Sequence, residues 1–141
     1  MDLEIRCCTD EDKLQIRDGL RAYNFSIIPQ GKDYVTVDIS RRITDENGKV
    51  IAGCIAAADC WLNAHVSTLW VDSAYRKHGL GSKLLAAVEQ AAREADCMMI
   101  QLDTFEFQAK DFYLRHGYEI FGEVAAPPRG KMHYYLKKDL K

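Results

Sequence analysis

The chain has 141 residues, 48% of them apolar and 28% charged, with a formal net charge of −2. That is enough chain for one domain, 1–141, with a sizeable core. The balanced charge argues against a nucleic-acid binder, which carries a basic surplus on one face, and no apolar run approaches the length of a membrane span.

Met1-Asp2-Leu3-Glu4 is acidic and lacks the apolar core of a signal peptide, so a cytoplasmic protein is expected. Leu3–Cys8 reads as a short strand with Leu3, Ile5 and Cys7 on one face. Thr9 and Asp10 are N-cap residue types, and Leu14, Ile16, Leu20 and Tyr23 predict an amphipathic helix over 10–24. Asn24–Tyr34, with Pro29, Gly31 and Asp33, reads as a loop. Val35–Thr44 alternates apolar and polar residues and predicts a strand. Asp45-Glu46-Asn47-Gly48 supplies a hairpin turn. Val50–Cys60 follows as a nearly continuous apolar strand, expected to be covered on both faces. His65–Val71 completes a predicted antiparallel meander.

After a basic turn, Leu84, Leu85, Val88, Ala91 and Ala92 mark one face of a helix over about 79–95. Met98–Thr104 reads as a strand. A strand, a helix and a strand in succession place it parallel to His65–Val71 by a crossover. Gln108–His116 is a short helix ended by Gly117, an apt C′ residue. Tyr118–Val124 and Met132–Leu136 are two further strands, joined by the loop Ala125–Gly130. The five cysteines (Cys7, Cys8, Cys54, Cys60, Cys97) form no Cys-x-x-Cys, and most lie in apolar runs, so reduced, buried thiols are expected. His65, His78, His116 and His133 lack ligand spacing, and no metal is expected.

The stretch Leu69–Leu85 carries most of the chemistry. An apolar strand end meets Arg76, Lys77 and His78, then Gly79 and Gly81, then the helix. The first N–H groups of a helix lack partners and sit at the positive end of its dipole. Glycine lets an anion approach them closely. The reading is a phosphate or pyrophosphate site; taken alone, the glycine pair also fits a plain tight turn. A P-loop is excluded, because the glycine–lysine–hydroxyl order is absent: the chain reads Gly81-Ser82-Lys83. A dinucleotide fingerprint is excluded because its third glycine position is Leu84.

What remains, Arg76-x-x-Gly79-x-Gly81, resembles the acyl-CoA loop of the GNAT superfamily of N-acyltransferases, Gln/Arg-x-x-Gly-x-Gly/Ala. A second match is Tyr113-x-x-x-Gly117-Tyr118, similar to the family's Tyr-x-x-x-Gly-Phe/Tyr. The resemblance runs from about Val35 onward; before it, only the element order fits. The chain looks like a small bacterial-type GNAT enzyme. That implies an α/β fold, with a mixed, mostly antiparallel sheet of six to seven strands and about four helices. It also implies a parallel pair, the strand ending at Val71 and Met98–Thr104, that splays apart at its C-terminal ends and leaves backbone groups of Leu69–Val71 unpaired, helped by a bulge near Trp70.

The resemblance further implies acetyl-CoA as cofactor, bound by Leu69, Trp70, Val71, Arg76, Lys77, His78, Gly79, Leu80, Gly81 and Ser82. The implied activity is transfer of its acetyl group to a primary amine of a small molecule or peptide by direct attack. A homodimer is common in the family, and an exposed hairpin with Tyr134, Tyr135 and Leu136 is its ground here. No nucleic-acid or membrane partner is expected. The rival reading is a non-catalytic acyl-CoA-binding sensor or partner module. In one departure, the family's Asn-x-x-Ala reads Glu106-Phe107-Gln108-Ala109; Gln108 then replaces the missing amide, or Glu106 faces the substrate.

An amine attacking a thioester must be neutral, and a lysine-like amine with a pKa of about 10.4 is mostly charged at neutral pH. A base is therefore required, and His65, Asp103, Glu106 or a water are all open. A backbone N–H at Trp70 or Val71 would stabilise the oxyanion. Tyr113 is the expected acid for the leaving thiolate, since a phenol is protonated at neutral pH. Asp33, Asp38, Asp59 and Glu123 are acidic groups that would attract a cation or simply lie in solvent. The loops 24–34 and 125–131, with Tyr34 and Trp61, are expected to border the acceptor.

Overall fold

The computed structural model describes residues 1, 3–28, 36–126 and 130–141. They fall into two units, Met1–Asp33 and Tyr34–Lys141.

In the first unit, α1 spans Asp10–Ile27, three residues past the expected end. Thr9 caps it with a reciprocal box: Thr9 Oγ1 accepts from the Asp12 N–H at 3.1 Å, and Asp12 Oδ2 accepts from the Thr9 N–H at 2.7 Å. Asp10, Glu11 and Asp12 place negative charge on the positive end of the helix. The predicted strand Leu3–Cys8 does not form; it joins no ladder, and a strand is held by its ladder. Cys7 and Cys8 are exposed and Cys60 half-buried, so of the five thiols expected to be buried, Cys54 and Cys97 are. Most of the predicted loop, including Asp33 and Tyr34, lies outside the described residues, as does Val35.

The second unit is a seven-stranded sheet on one layer of helix. Its strands are β1 (Val37–Asp38), β2 (Arg41–Thr44), β3 (Val50–Ala58), β4 (Asn63–Val71), β5 (Met99–Phe105), β6 (Glu119–Ala126) and β7 (Lys131–Asp139). They run in the order β1-β3-β4-β5-β7-β6, with β2 also on β3. The predicted strand 35–44 is interrupted at Ile39–Ser40, where the Ser40 hydroxyl takes a ladder position: the Ala56 N–H donates to its Oγ at 3.1 Å. The register survives, since Val37↔Ala58 and Arg41↔Cys54 follow one alignment. Two helices, α2 (Leu80–Glu94) and α3 (Lys110–Arg115), follow a 3-10 turn at Ser73–Tyr75.

Alternation decides what is buried. Ala52, Cys54, Ala56 and Ala58 of β3, Ala64 and Val66 of β4, and Ile100 and Leu102 of β5 meet Leu84, Leu85, Val88 and Ala92 of α2. Within this unit β3 is covered on one face only, with Ile55 exposed on the other, which corrects the two-faced expectation. β7 lies inside the sheet between β5 and β6, so Leu136 is fully buried and is not part of an exposed hairpin. α2 is anchored by Glu89, a buried carboxylate that the apolar pattern did not flag. It accepts from the Tyr118 hydroxyl at 2.8 Å and pairs with Lys138 at 3.1 Å. A buried charge needs such partners.

The same core holds its protons tightly. Burial pushes the Cys54 thiol up to about 11 and the Tyr113 phenol up to about 12, and it raises the Tyr118 phenol, helped by the Glu89 charge. The unfolded chain releases these protons earlier, near the ordinary thiol and phenol values. Stability is therefore full below about pH 8.5 and falls as pH climbs toward 12, by up to about 1.4 kcal/mol per pH unit for each titrating group. Urea midpoints at pH 7.5, 9.5 and 10.5 should drop progressively, and a flat series would contradict this. Among the described residues no helix is long and apolar enough to cross a membrane.

Candidate functional site

β4 and β5 are paired in parallel only from Asn63↔Met99 to Val66↔Leu102. Beyond Val66 the two strands part, as expected of a splayed pair. The bulge that accompanies the parting is at Ser67, not near Trp70: Ile55 pairs with Thr68 but Ala56 with Val66, leaving Ser67 as the extra residue.

The β3 register settles which backbone groups face the opening. The Asp72 N–H donates to the Ile51 carbonyl, so Asp72 turns its backbone toward β3. An antiparallel ladder alternates, so Trp70, opposite Gly53, does the same, while Leu69 and Val71 turn theirs toward the gap. Of the two N–H groups expected as oxyanion donors, that of Val71 turns toward the gap and that of Trp70 turns toward β3. The Trp70 side chain lines a separate cavity of about 430 Å³ with Arg42 and Ile55.

The strand runs into the basic turn. Asp72 caps the 3-10 turn, its carboxylate accepting from the Ala74 N–H at 2.8 Å. Arg76 folds back, its Nε donating to the Val71 carbonyl at 3.0 Å. Lys77 and Gly79 both take the left-handed conformation, with φ of 66° and 76°. Such alternation turns successive N–H groups inward, and a lysine held there is strained. Gly79 is the N-cap of α2 and offers no side-chain acceptor. The first intrahelical bond is Lys83 N–H to the Gly79 carbonyl, so the N–H groups of Leu80, Gly81 and Ser82 have no helical partner.

Of these three residues, Gly81 lines a cleft of about 410 Å³. Leu69, Val71, Arg76 and Gly81 line it on one side, and Glu106, Gln108 and Phe112 on the other. Lys110 and Arg115 of α3 line it too, two cations that the sequence pattern did not single out. Glu106 faces this cleft. Lys77 and His78 are exposed and outside the lining, and Leu80 packs on the core. Ser82 Oγ lies 2.9 Å from His116 Nε2, while His116 Nδ1 lies 2.7 Å from the Phe112 carbonyl. A carbonyl only accepts, so the neutral ring carries its proton on Nδ1 and accepts a hydrogen bond from the Ser82 hydroxyl on Nε2. Ser82 therefore offers an anion its backbone N–H rather than its hydroxyl.

A smaller cavity of about 230 Å³ fills the strand gap and shares Leu69, Gln108 and Ala109 with the cleft. Tyr113 lines it from α3, 6% exposed, and its hydroxyl has no hydrogen-bond partner among the described residues. A structural tyrosine normally bonds its hydroxyl to a neighbour. Burial, with Cys54 and Asp103 nearby, holds this phenol protonated to about pH 12. Gln108 Oε1 is spent on the local turn, accepting from the Phe105 N–H at 2.6 Å, which leaves its NH₂ as the free half.

Asp103 lines the same gap. Its carboxylate lies 2.7 Å from His133 Nε2 and 3.9 Å from His65 Nε2. His133 was missed in sequence reading because only the β5–β7 register brings it beside Asp103. Asp38 and Asp59 are turn-forming carboxylates: Asp38 accepts from the Ser40 N–H, and Asp59 from Trp61 and Asn63. Glu123 is exposed on β6.

The model of the acetyltransferase (GNAT) family matches residues 12–118. Blasticidin-S acetyltransferase of Streptomyces morookaense is 38% identical over 96 residues, covering 67% of this chain and 70% of that protein. An acetyltransferase of Agrobacterium fabrum is 31% identical over 129 residues, 91% of this chain and 90% of its own. The crystal structure of an acetyltransferase from Bacillus cereus superposes with a TM-score of 0.87 at 32% identity, covering 97% of each chain.

Proposed function

The chain belongs to the acetyltransferase (GNAT) family, and from that premise we propose that it transfers the acetyl group of acetyl-CoA to a primary amine of a small molecule by direct attack. The observation that carries this reading is the Tyr113 hydroxyl, buried in the gap between the parted strands and without a hydrogen-bond partner among the described residues. A sensor that only bound an acyl-CoA would have no use for an acid there.

The residues present fit the cofactor. The uncapped N–H groups of Leu80, Gly81 and Ser82, with Arg76, Lys110 and Arg115 around them, suit a pyrophosphate. The Leu69 backbone, turned toward the gap beyond the paired stretch, offers a donor and an acceptor to the amides of a pantetheine arm, while the Val71 carbonyl is held by Arg76. Bound acetyl-CoA supplies the thioester that the amine attacks. The Val71 N–H would donate to the thioester carbonyl oxygen as charge developed on it, and Tyr113 Oη would donate a hydrogen bond to the departing sulfur. The cytoplasm, where acetyl-CoA and reduced thiols coexist, is the proposed compartment.

The test is direct. Acetyl-CoA and coenzyme A should both raise the melting temperature, because a ligand bound only to the native state stabilises it by mass action. At about 100 times its dissociation constant the gain is about 2.7 kcal/mol. Thiol release from acetyl-CoA should then depend on added amine. A melting temperature unmoved at millimolar acetyl-CoA would remove the cofactor assignment; protection without turnover on any amine would leave the sensor.

A further inference from the structure

The face of the sheet opposite α2 carries a run of rings. Phe107 stacks on Phe105 with centroids 5.2 Å apart, Phe105 on His133 at 4.4 Å, and His133 lies 4.7 Å from Tyr135. Phe105 and Asp103 share a face of β5 by alternation, and Phe105 is in register with His133. Phe107, at the end of the run, is 58% exposed. Asp103 therefore stands where this aromatic surface meets the gap that Tyr113 enters from the other side.

Asp103 is held, not loose. A carboxylate only accepts, so the neutral His133 ring carries its proton on Nε2 and donates it to Asp103 Oδ2. That leaves Nδ1 as the basic nitrogen, in the manner of an imidazole oriented by a carboxylate. The ring is clamped between Phe105 and Tyr135, which removes its freedom to turn away. The other charged or titratable groups facing the pair are His65 from β4, at 3.9 Å from Asp103 Oδ1, Tyr113 from α3, and Lys131, Tyr135 and Lys137 from β7. Lys137 is engaged with Glu119 at 3.5 Å.

Resting on the acetyltransferase reading, we infer that Asp103, His133 and the Phe105–Phe107 stack form the acceptor subsite, and that the acceptor is a primary amine carried next to a planar ring. The ammonium sits on Asp103, whose charge draws it to the mouth of the gap. The planar group lies on Phe107. One N–H bond of the ammonium breaks, and its proton passes through water around the imidazole to His133 Nδ1, the nitrogen turned away from Asp103. The electron pair left on nitrogen would attack the thioester carbon; as the carbon–sulfur bond breaks, the second proton lost from nitrogen would leave with the sulfur, giving the amide and the thiol of coenzyme A. The imidazolium is stabilised by Asp103 and returns its proton to solvent over the exposed rim. The acceptor's carboxylate and the donor to the sulfur thus reach one gap from opposite faces of the sheet, Asp103 from β5 and Tyr113 from α3.

The probes are benzylamine and butylamine with acetyl-CoA, read by thiol release. The parent should prefer benzylamine, and Phe107→Ala should erase that preference. Asp103→Asn should raise the KM for benzylamine about 10- to 100-fold, the loss of a charge-assisted contact, with the KM for acetyl-CoA unchanged. His133→Gln keeps a donor to Asp103 but removes the nitrogen that takes the proton. It should lower kcat by about 10²-fold or more and leave the KM for benzylamine in place. Acetyl-CoA protection of each variant against heat shows that it is folded. If Asp103→Asn and His133→Gln turn over benzylamine like the parent, the inference is wrong and the transferase reading stands. A parent protected by acetyl-CoA that accepts neither amine also overturns the inference alone. A parent not protected by acetyl-CoA removes the transferase reading itself.

Discussion

Tyr113→Phe should lower kcat by about 10²-fold, at the lower end of what a positioned acid contributes, while coenzyme A affinity stays within about twofold of the parent. The low end follows from the phenol itself. Burial holds it near 12, well above the 8.5 or so of an ordinary thiol. It therefore does not surrender its proton to a free thiolate; it stabilises the sulfur by a hydrogen bond as the bond to carbon breaks. A hundredfold is about 2.7 kcal/mol at the transition state, which suits one hydrogen bond to a charged atom in a water-poor gap. An acetyl thioester of a more acidic thiol needs less help and should recover part of the loss. The variant should melt no lower than the parent, because the hydroxyl it removes has no partner among the described residues and a buried unpaired hydroxyl is itself a cost. A fall in melting temperature would indicate a bond to that hydroxyl and a structural tyrosine. Parent-like turnover where chemistry limits the rate would take Tyr113 out of the reaction.

The local features of the site were legible because each is written in adjacent residues. Gly79 and Gly81 before Leu84, Leu85 and Val88 announce a helix start open to an anion, and the structure has α2 beginning at Leu80 with a glycine cap. Gly117 announces the end of α3, and it takes the left-handed φ of 88°. What failed is what depends on register between distant strands. The bulge falls at Ser67 rather than near Trp70, because one extra residue anywhere between Val66 and Val71 leaves the apolar pattern nearly the same. The pairing of Asp103 with His133 needs β7 to insert between β5 and β6. Nothing local to either residue encodes that order. Glu89 was hidden for a related reason: its partners, Tyr118 and Lys138, lie 29 and 49 residues away. Lys110 and Arg115 look like ordinary helix charges until the cleft is seen beside them.

Gly79→Asp should weaken coenzyme A binding far more than Gly79→Asn, although the two side chains share one shape. Both carry the same strain: at a φ of 76° any residue other than glycine is disfavoured, by about 1–2 kcal/mol. Asn and Asp bear it best among the alternatives, and a Cβ there would meet nothing within 4 Å. Equal losses of melting temperature are therefore expected, and the neutral variant calibrates them. The charge is the remaining difference. A carboxylate about 5 Å from a pyrophosphate charge costs about 1–3 kcal/mol at an effective dielectric between those of water and the protein surface, roughly 5- to 150-fold in affinity. It also competes with the ligand for the free N–H groups of Leu80, Gly81 and Ser82. Because part of the penalty is Coulombic and exposed, it should shrink as salt rises from 20 to 500 mM, whereas the deficit of Gly79→Asn should not. Arg76→Ala removes attraction instead of adding repulsion, and should leave the parent's remaining affinity less sensitive to salt. Calorimetric titration of coenzyme A into the three variants at both salt concentrations separates these effects. Equal affinities for Gly79→Asp and Gly79→Asn would place the phosphates away from the start of α2.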